Sequence, residues 1–244
     1  MAVSVRFDEL TGLGAAERAQ MFELLQRHFH GVDPQVFAAD LREKSHVLRL
    51  FSAGGDLSGF STLDYRMTEV AGAPAALLYS GDTIVDPAAW AQTSLGPAWV
   101  AAVFDLHASV SPGMPLWWLL LSSGVRTYRY LTVCLRSYAP ADAERFDPVA
   151  AALLPGLACD RFGAAFDRTA GVVRFVRPQR LRAHLCEIPA HVANDAAVRV
   201  FLQRNPGHVD GDELVSLCRL CPENLTGAGR LALRRGRAAL AVSS

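Results

Sequence analysis

The residues best suited to chemistry lie in Ser80-Gly81-Asp82-Thr83, at the end of an otherwise apolar run, Ala75 to Val85. Three polar side chains in a segment that must be largely buried would each cost a few kcal/mol without a partner, so they mark a site. A desolvated carboxylate at Asp82 can have its pKa raised toward working pH, which suits a general base; the same residue can instead cap a local turn. A second polar concentration is the 205–213 segment NPGHVDGDE, where His208 with Asp212 or Glu213 could form an acid–base pair or simply decorate a surface loop. Cys218-Arg219-Leu220-Cys221 has the spacing of a metal or redox pair. On a strand that spacing sends the two sulfurs to opposite faces, so buried, inert thiols are expected and no metal.

The elements that must position these residues follow from periodicity. Ala75–Val85 pairs as a hairpin with Thr62–Val70 across the turn signal Ala71-Gly72-Ala73-Pro74. Val3–Phe7 and His46–Phe51 alternate as short strands, and Gly14–His30 carries apolar residues three or four apart as a helix does. A short helix is predicted from Gln35 to Glu43 after Asp33-Pro34, another from Asp86-Pro87, broken at Gly96-Pro97, and a further one over Trp99–Ser109. Leu116–Ser122 is apolar without alternation, as in a strand buried on both faces, and Val125–Tyr138 follows as a helix. Beyond it, Pro148–Phe166 reads as a helix interrupted at Pro155-Gly156, Val172–Val176 as a short strand, Ile188–Arg204 as mostly helix, Gly211–Leu220 as strand or helix, and Asn224–Arg237 as a basic helix or frayed tail. This order predicts a mixed α/β fold with a mainly antiparallel central sheet flanked by helices. Residues 1–140 form its core, and 141–244 an extension packed on the same sheet.

Composition narrows the function. The 244 residues, 51% hydrophobic, suffice for a substantial core, and 24 basic residues balance 24 acidic ones, so no electrostatic footprint points to nucleic acid. Five scattered cysteines fit a reducing compartment, MAVSVRFDEL does not read as a secretion signal, and no apolar run approaches the roughly 20 residues of a membrane span. A cytoplasmic location is expected, and the arginine-rich composition suggests a GC-rich bacterial genome.

The strand and helix order over residues 3–138, including DLREKSHVLRLF and GDLSGFSTL, resembles the GNAT superfamily of acyltransferases and its relatives that make acylated amino acids and homoserine lactones. The resemblance implies that Ala75–Val85 splays from Leu116–Ser122 and that an acyl thioester, on coenzyme A or on an acyl carrier protein, enters the gap to acylate a small-molecule amine. It further implies Asp82 as base or substrate anchor and, about seven residues past the buried strand, Tyr130 as the acid that protonates the leaving thiolate. Tyr128, about 200° away on the same helix, cannot serve the same site with it. Ser80, Thr83, Tyr128, Trp117, Trp118, His208 and Glu213 are the candidate substrate contacts, and Arg126 and Arg129 could hold a phosphate of the donor. A non-catalytic ligand site between Trp117, Trp118 and the hairpin, or different chemistry run from the 205–213 loop, are the alternatives. The family pattern Gln/Arg-x-x-Gly-x-Gly/Ala is missing from Asp86-Pro87-Ala88-Ala89-Trp90-Ala91-Gln92, where the resemblance places the coenzyme A pyrophosphate.

Overall fold

A computed structural model describes residues 3–92, 95–188 and 190–243. The chain runs β1 (Ser4–Glu9), α1 (Ala15–His28), β2 (Phe29–His30), α2 (Pro34–Arg42), β3 (His46–Phe51), β4 (Leu57–Val70) and β5 (Ala73–Val85). Then come α3 (Leu95–Val110), β6 (Leu116–Ser122), α4 (Val125–Cys134), α5 (Pro148–Phe162), β7 (Phe166–Asp167), β8 (Val172–Val173) and β9 (Arg180–Leu181). The last elements are α6 (Ala183–Cys186), α7 (Ala196–Arg204), β10 (Glu213–Arg219) and α8 (Gly227–Ser243). Eight strands form one sheet in the order β1-β3-β4-β5-β6-β10-β8-β7, antiparallel throughout except for β5 and β6; β2 and β9 pair separately. The mixed α/β architecture with a mainly antiparallel sheet is the one the element order predicts.

The hairpin of β4 and β5 is the longest feature of the sheet. Its two-residue turn puts Ala71 and Gly72 at positive φ, 53° and 76°, the geometry that matches the strands' twist. Alternation then sorts the faces. Ala76, Leu78, Leu116, Trp118 and Leu120 pack in one core with α3, α4 and α7. Leu77, Tyr79, Trp117, Leu119 and Leu121 pack against α5 on the opposite face, and Val47, Phe60 and Ile84 pack there against α1 and α2.

Several local expectations yield to packing. The stretch after β5 is a 3-10 turn over Pro87–Gln92, and the helix begins only at Leu95, with Gly96-Pro97 in its first turn, where proline's missing N–H costs nothing. α5 runs unbroken through Pro155, because Ala150, Leu154, Leu157 and Ala158 bury against the sheet. A buried helical face of that size offsets the roughly 3 kcal/mol an interior proline costs. α4 stops at Cys134, four residues short of the predicted end, where the Arg145 guanidinium donates to the carbonyls of Thr132 and Leu135 at 3.0 and 2.8 Å. Gly211–Leu220 resolves as strand β10 beside β6, and Ile188–Arg204 holds a 3-10 turn, Ala190–Val192, before α7. α8 starts after Thr226, whose hydroxyl accepts the Gly229 N–H at 3.0 Å. No helix among the described residues is long and apolar enough to cross a membrane.

Candidate functional site

The parallel pair β5–β6 holds only from Ala76↔Leu116 to Ser80↔Leu120, although β5 continues to Val85 and β6 to Ser122. The cause lies on the other side of β5. Against β4, the register jumps from Leu63↔Ser80 to Ser61↔Thr83, so Gly81 and Asp82 together oppose the single residue Thr62. This bulge bends β5 away from β6 and opens the sheet at the polar tetrad. Gly81 is needed there, since a Cβ would meet Lys44 Cε at 2.7 Å and Thr62 Oγ1 at 2.8 Å.

Because two residues share the bulge, Ser80 and Thr83 keep one face while Tyr79 and Asp82 take the other. On the first face a cavity of about 800 Å³ opens beside the divergence, walled by Ser80, Thr83, Trp118 and Leu120 of the sheet, Trp90, Trp99 of α3, Tyr130 of α4 and part of α8. Its polar groups near the strands are already engaged. Trp118 Nε1 donates to Ser80 Oγ at 2.9 Å, and the Ser61 and Thr83 hydroxyls share a bond of 2.8 Å. Trp99 lies 4.4 Å from Trp118 and meets Tyr130 edge-on at 6.5 Å, centroid to centroid.

The opposite face is charged. Burial pushes the Asp82 carboxyl up to about 7, helped by the negative charge of Asp40 and opposed by the Lys44 ammonium. Lys44 Nζ lies 2.5 Å from Asp40 Oδ1 and 4.9 Å from the centre of the Tyr79 ring, its side chain wholly shielded from solvent. Glu213, the first residue of β10, is pushed up to about 8, by burial and then by the charge of Asp82, while a hydrogen bond with Ser123 and the charge of Asp40 act in opposite senses. Arg161 of α5 covers Tyr79 at 4.6 Å and pairs with Asp64 at 3.4 Å and Glu43 at 3.3 Å. An apolar cavity and a set of proton-holding carboxylates thus flank one gap in the sheet. Such a pair of surfaces can hold a hydrophobic group on one side and exchange a proton on the other.

The remaining sequence candidates divide. Tyr130 faces the cavity with its hydroxyl tucked against Gly96 and beside Cys134, without an oxygen or nitrogen partner, and burial holds its proton firmly. Tyr128 points elsewhere: its hydroxyl donates to Pro140 O at 2.6 Å and its ring packs on Tyr138 and Phe201, so it is a core residue and not a substrate contact. Trp118 lines the cavity, whereas strand alternation puts Trp117 in the α5 core, so the two indoles do not bracket a common ligand. Arg126 stacks its guanidinium 3.7 Å over the Trp90 ring at the cavity, and Arg129 pairs with Asp195 at 3.1 Å.

His208 Nδ1 donates to Asn205 O at 3.0 Å, Asp212 pairs with Arg174 at 2.9 Å, and Glu213 turns to Ser123 and Asp82. Among the described interactions neither carboxylate joins His208, because β10 begins at Glu213 and carries it into the sheet. Cys218 is buried and Cys221 half-buried, both as free thiols, and no group of His, Cys, Asp or Glu among the described residues could hold a metal.

In the turn after β5 two backbone N–H groups that could face a pyrophosphate are already engaged. Asp86 takes the N–H of Ala88 on its own carboxylate at 3.0 Å and that of Ala89 on its carbonyl at 2.8 Å. The glycine expected there stands later, at the true start of α3, as Leu95-Gly96-Pro97-Ala98; the Thr93 and Ser94 before it lie outside the described residues. Sequence reading missed this because Asp86-Pro87 has the composition of a helix start. It also missed Lys44 and Asp40, separated by four residues, and the cavity wall on α8, whose signal is the small and apolar set Ala228, Leu231, Ala232 and Ala239.

No protein-family model matches the chain, and neither does any curated protein sequence. Among solved structures it is similar to a GNAT family N-acetyltransferase (YhbS) from Escherichia coli in complex with CoA, at 16% identity over 50% of this chain and 64% of that one, with a TM-score of 0.38. It is similar to a probable N-acyltransferase from Enterococcus faecalis V583, at 12% identity over 55% of this chain and 33% of that one, TM-score 0.41. A third is NAA60 of Arabidopsis thaliana in complex with a bisubstrate analogue, at 11% identity over 59% of this chain and 94% of that one, TM-score 0.38. The chain thus spans less than two thirds of the first two of these relatives.

Proposed function

We propose that the protein is an N-acyltransferase that moves an acyl group from a thioester, carried by coenzyme A or by an acyl carrier protein, to the amine of a small molecule. The observation that carries this reading is the break in β5–β6 pairing after Ser80↔Leu120, with the apolar cavity on one face and Asp82 on the other. The thioester carbonyl would sit at the break, with its apolar part in the cavity. The amine would come from the Asp82 face, where the Asp82 carboxyl is poised to take its proton.

An ammonium group must lose a proton before it can attack. Asp82, with a pKa near neutrality, is suited to accept it. The amine nitrogen then bonds to the carbonyl carbon, the C–S bond breaks, and the sulfur leaves with the electron pair. Tyr130, kept neutral by burial on the cavity side, is suited to give that sulfur a proton and to take back the second proton that the nitrogen sheds as the amide forms. Trp90, Trp99 and Trp118 exclude water, which limits hydrolysis of the thioester.

The test is to incubate the protein with acyl-coenzyme A and acyl-carrier-protein thioesters and a panel of amines, reading free thiol and amide mass together. Amide formation that is lost in Asp82→Asn supports the reading. Thiol release without amide, or no reaction with either carrier, overturns it.

A further inference from the structure

We propose that the cavity is an acyl-chain channel for groups much longer than acetyl, and that the C-terminal helix α8 sets the chain length. The identification of the chain as an acyl group rests on the transferase reading; the channel rests on the cavity itself.

The volume of about 800 Å³ lies toward the upper end of the roughly 300–1,000 Å³ found in pockets that enclose drug-sized ligands, far more than a two-carbon group fills. The shape follows from the two helices that wall it. Thr127, Tyr130 and Cys134 form a stripe along α4, and Ala228, Leu231, Ala232, Arg235 and Ala239 form a stripe along α8 at spacings of three and four. The α8 stripe covers eleven residue steps, about 16 Å of helix. The walls ask for no hydrogen bonds from an occupant near the strands, since the Ser80 and Thr83 hydroxyls are already paired. Apolar walls of this extent lose stability to water and gain it from hydrocarbon.

α8 is fixed as a wall by two glycines seven residues apart. A Cβ on Gly229 would meet Cys134 O at 2.3 Å, and one on Gly236 would lie still closer to Pro97 O, so the helix backbone rests directly on the end of α4 and the start of α3. The side chains beside those glycines therefore project into the channel from a fixed distance. At Ala228, Ala232 and Ala239 they are single methyl groups, and each larger residue there would remove a defined part of the channel.

The test uses the full chain and straight-chain fatty acids of four to sixteen carbons, displacing a fluorescent apolar probe. Wild-type affinity should rise about fourfold per methylene up to a break length and then level off. Ala232→Phe should move that break to shorter chains by two or more carbons while leaving the shortest acids unaffected. Ala228→Leu, at an exposed position, should do the same to a smaller extent should the first variant not fold. A flat dependence on length, or an unmoved break in folded variants, overturns the proposal. A length break without transfer from any thioester sinks the transferase and leaves the channel; transfer restricted to acetyl with no break does the reverse.

Discussion

Asp82 and Glu213 come from strands on either side of β6 and meet level with its end. Ser80, opposite Leu120, is the last β5 residue paired with β6, and Asp82 follows in the bulge; Leu214 pairs with Ser122, which puts Glu213 one step past the end of β6, where the Asp82 charge makes it harder to ionise. Both folded pKa values stand above ordinary carboxylate values, so between about pH 4 and 8 the native state binds more protons than the unfolded chain. Stability from this pair therefore falls as pH rises. Glu213→Gln is expected to raise the melting temperature at pH 8 and to change it little at pH 4, with a shift of about 2–4 °C for each kcal/mol relieved. Equal shifts at both pH values would show that the two carboxyls are not strained by charge.

For turnover, the same shift predicts an acid limb. Acyl transfer should climb as pH passes about 7, where Asp82 loses its proton. Asp82→Asn should lower the rate by about 10²–10⁴ and abolish that limb, as expected for loss of a general base. Rates that fall less than tenfold, with the limb in place, would remove Asp82 from the proton path.

Tyr130 offers a way to separate chemistry from packing. Its hydroxyl has no oxygen or nitrogen partner, so Tyr130→Phe removes a buried polar group that gains little from the fold. The melting temperature should stay the same or rise slightly while acyl transfer slows. Transfer at the wild-type rate to a good amine would show that the thiolate leaves unprotonated.

Much of this arrangement is legible in residue pattern alone. The apolar run Leu116–Ser122 reads as a central strand because it is buried on both faces, and Ser80-Gly81-Asp82-Thr83 stands out because polar groups are costly there. The bulge at Gly81-Asp82 is not legible, since a bulge depends on which residue of β4 each residue of β5 faces. That pairing alone decides that Asp82 turns from the cavity while Thr83 turns toward it. Trp117 and Trp118 could have been separated by strict alternation. The α8 wall could not, because a basic, alanine-rich terminal helix has the same composition whether it lines a cavity or lies in solvent.

Lys44, the chain's one lysine, is the cation closest in effect to Asp82. Lys44→Met removes a charge that holds the Asp82 carboxyl down and takes away the ion-pair partner of Asp40. The acid limb of the pH–rate profile should move to higher pH, and transfer at pH 7 should drop although Lys44 is not among the residues that line the cavity. Restoring the charge with Lys44→Arg should bring the limb part of the way back. A profile that loses height without moving would show that Lys44 acts only through packing under Tyr79.

Gly236 tests how α8 is seated. In an exposed helix interior, replacing glycine by alanine stabilises by about 1 kcal/mol. At Gly236 the added methyl would run into Pro97 O and lie 2.8 Å from Ala101 Cβ, and backbone on α3 cannot move aside as a flexible side chain would. Gly236→Ala should therefore destabilise, by roughly 1–3 kcal/mol as for an overpacked core, and should weaken binding of long-chain acids by displacing the α8 wall. Gly227→Ala, where the added methyl meets nothing within 4 Å, is the control and should be neutral or stabilising. If both variants behave alike, α8 is not held against α3 in solution and the wall of the channel is open.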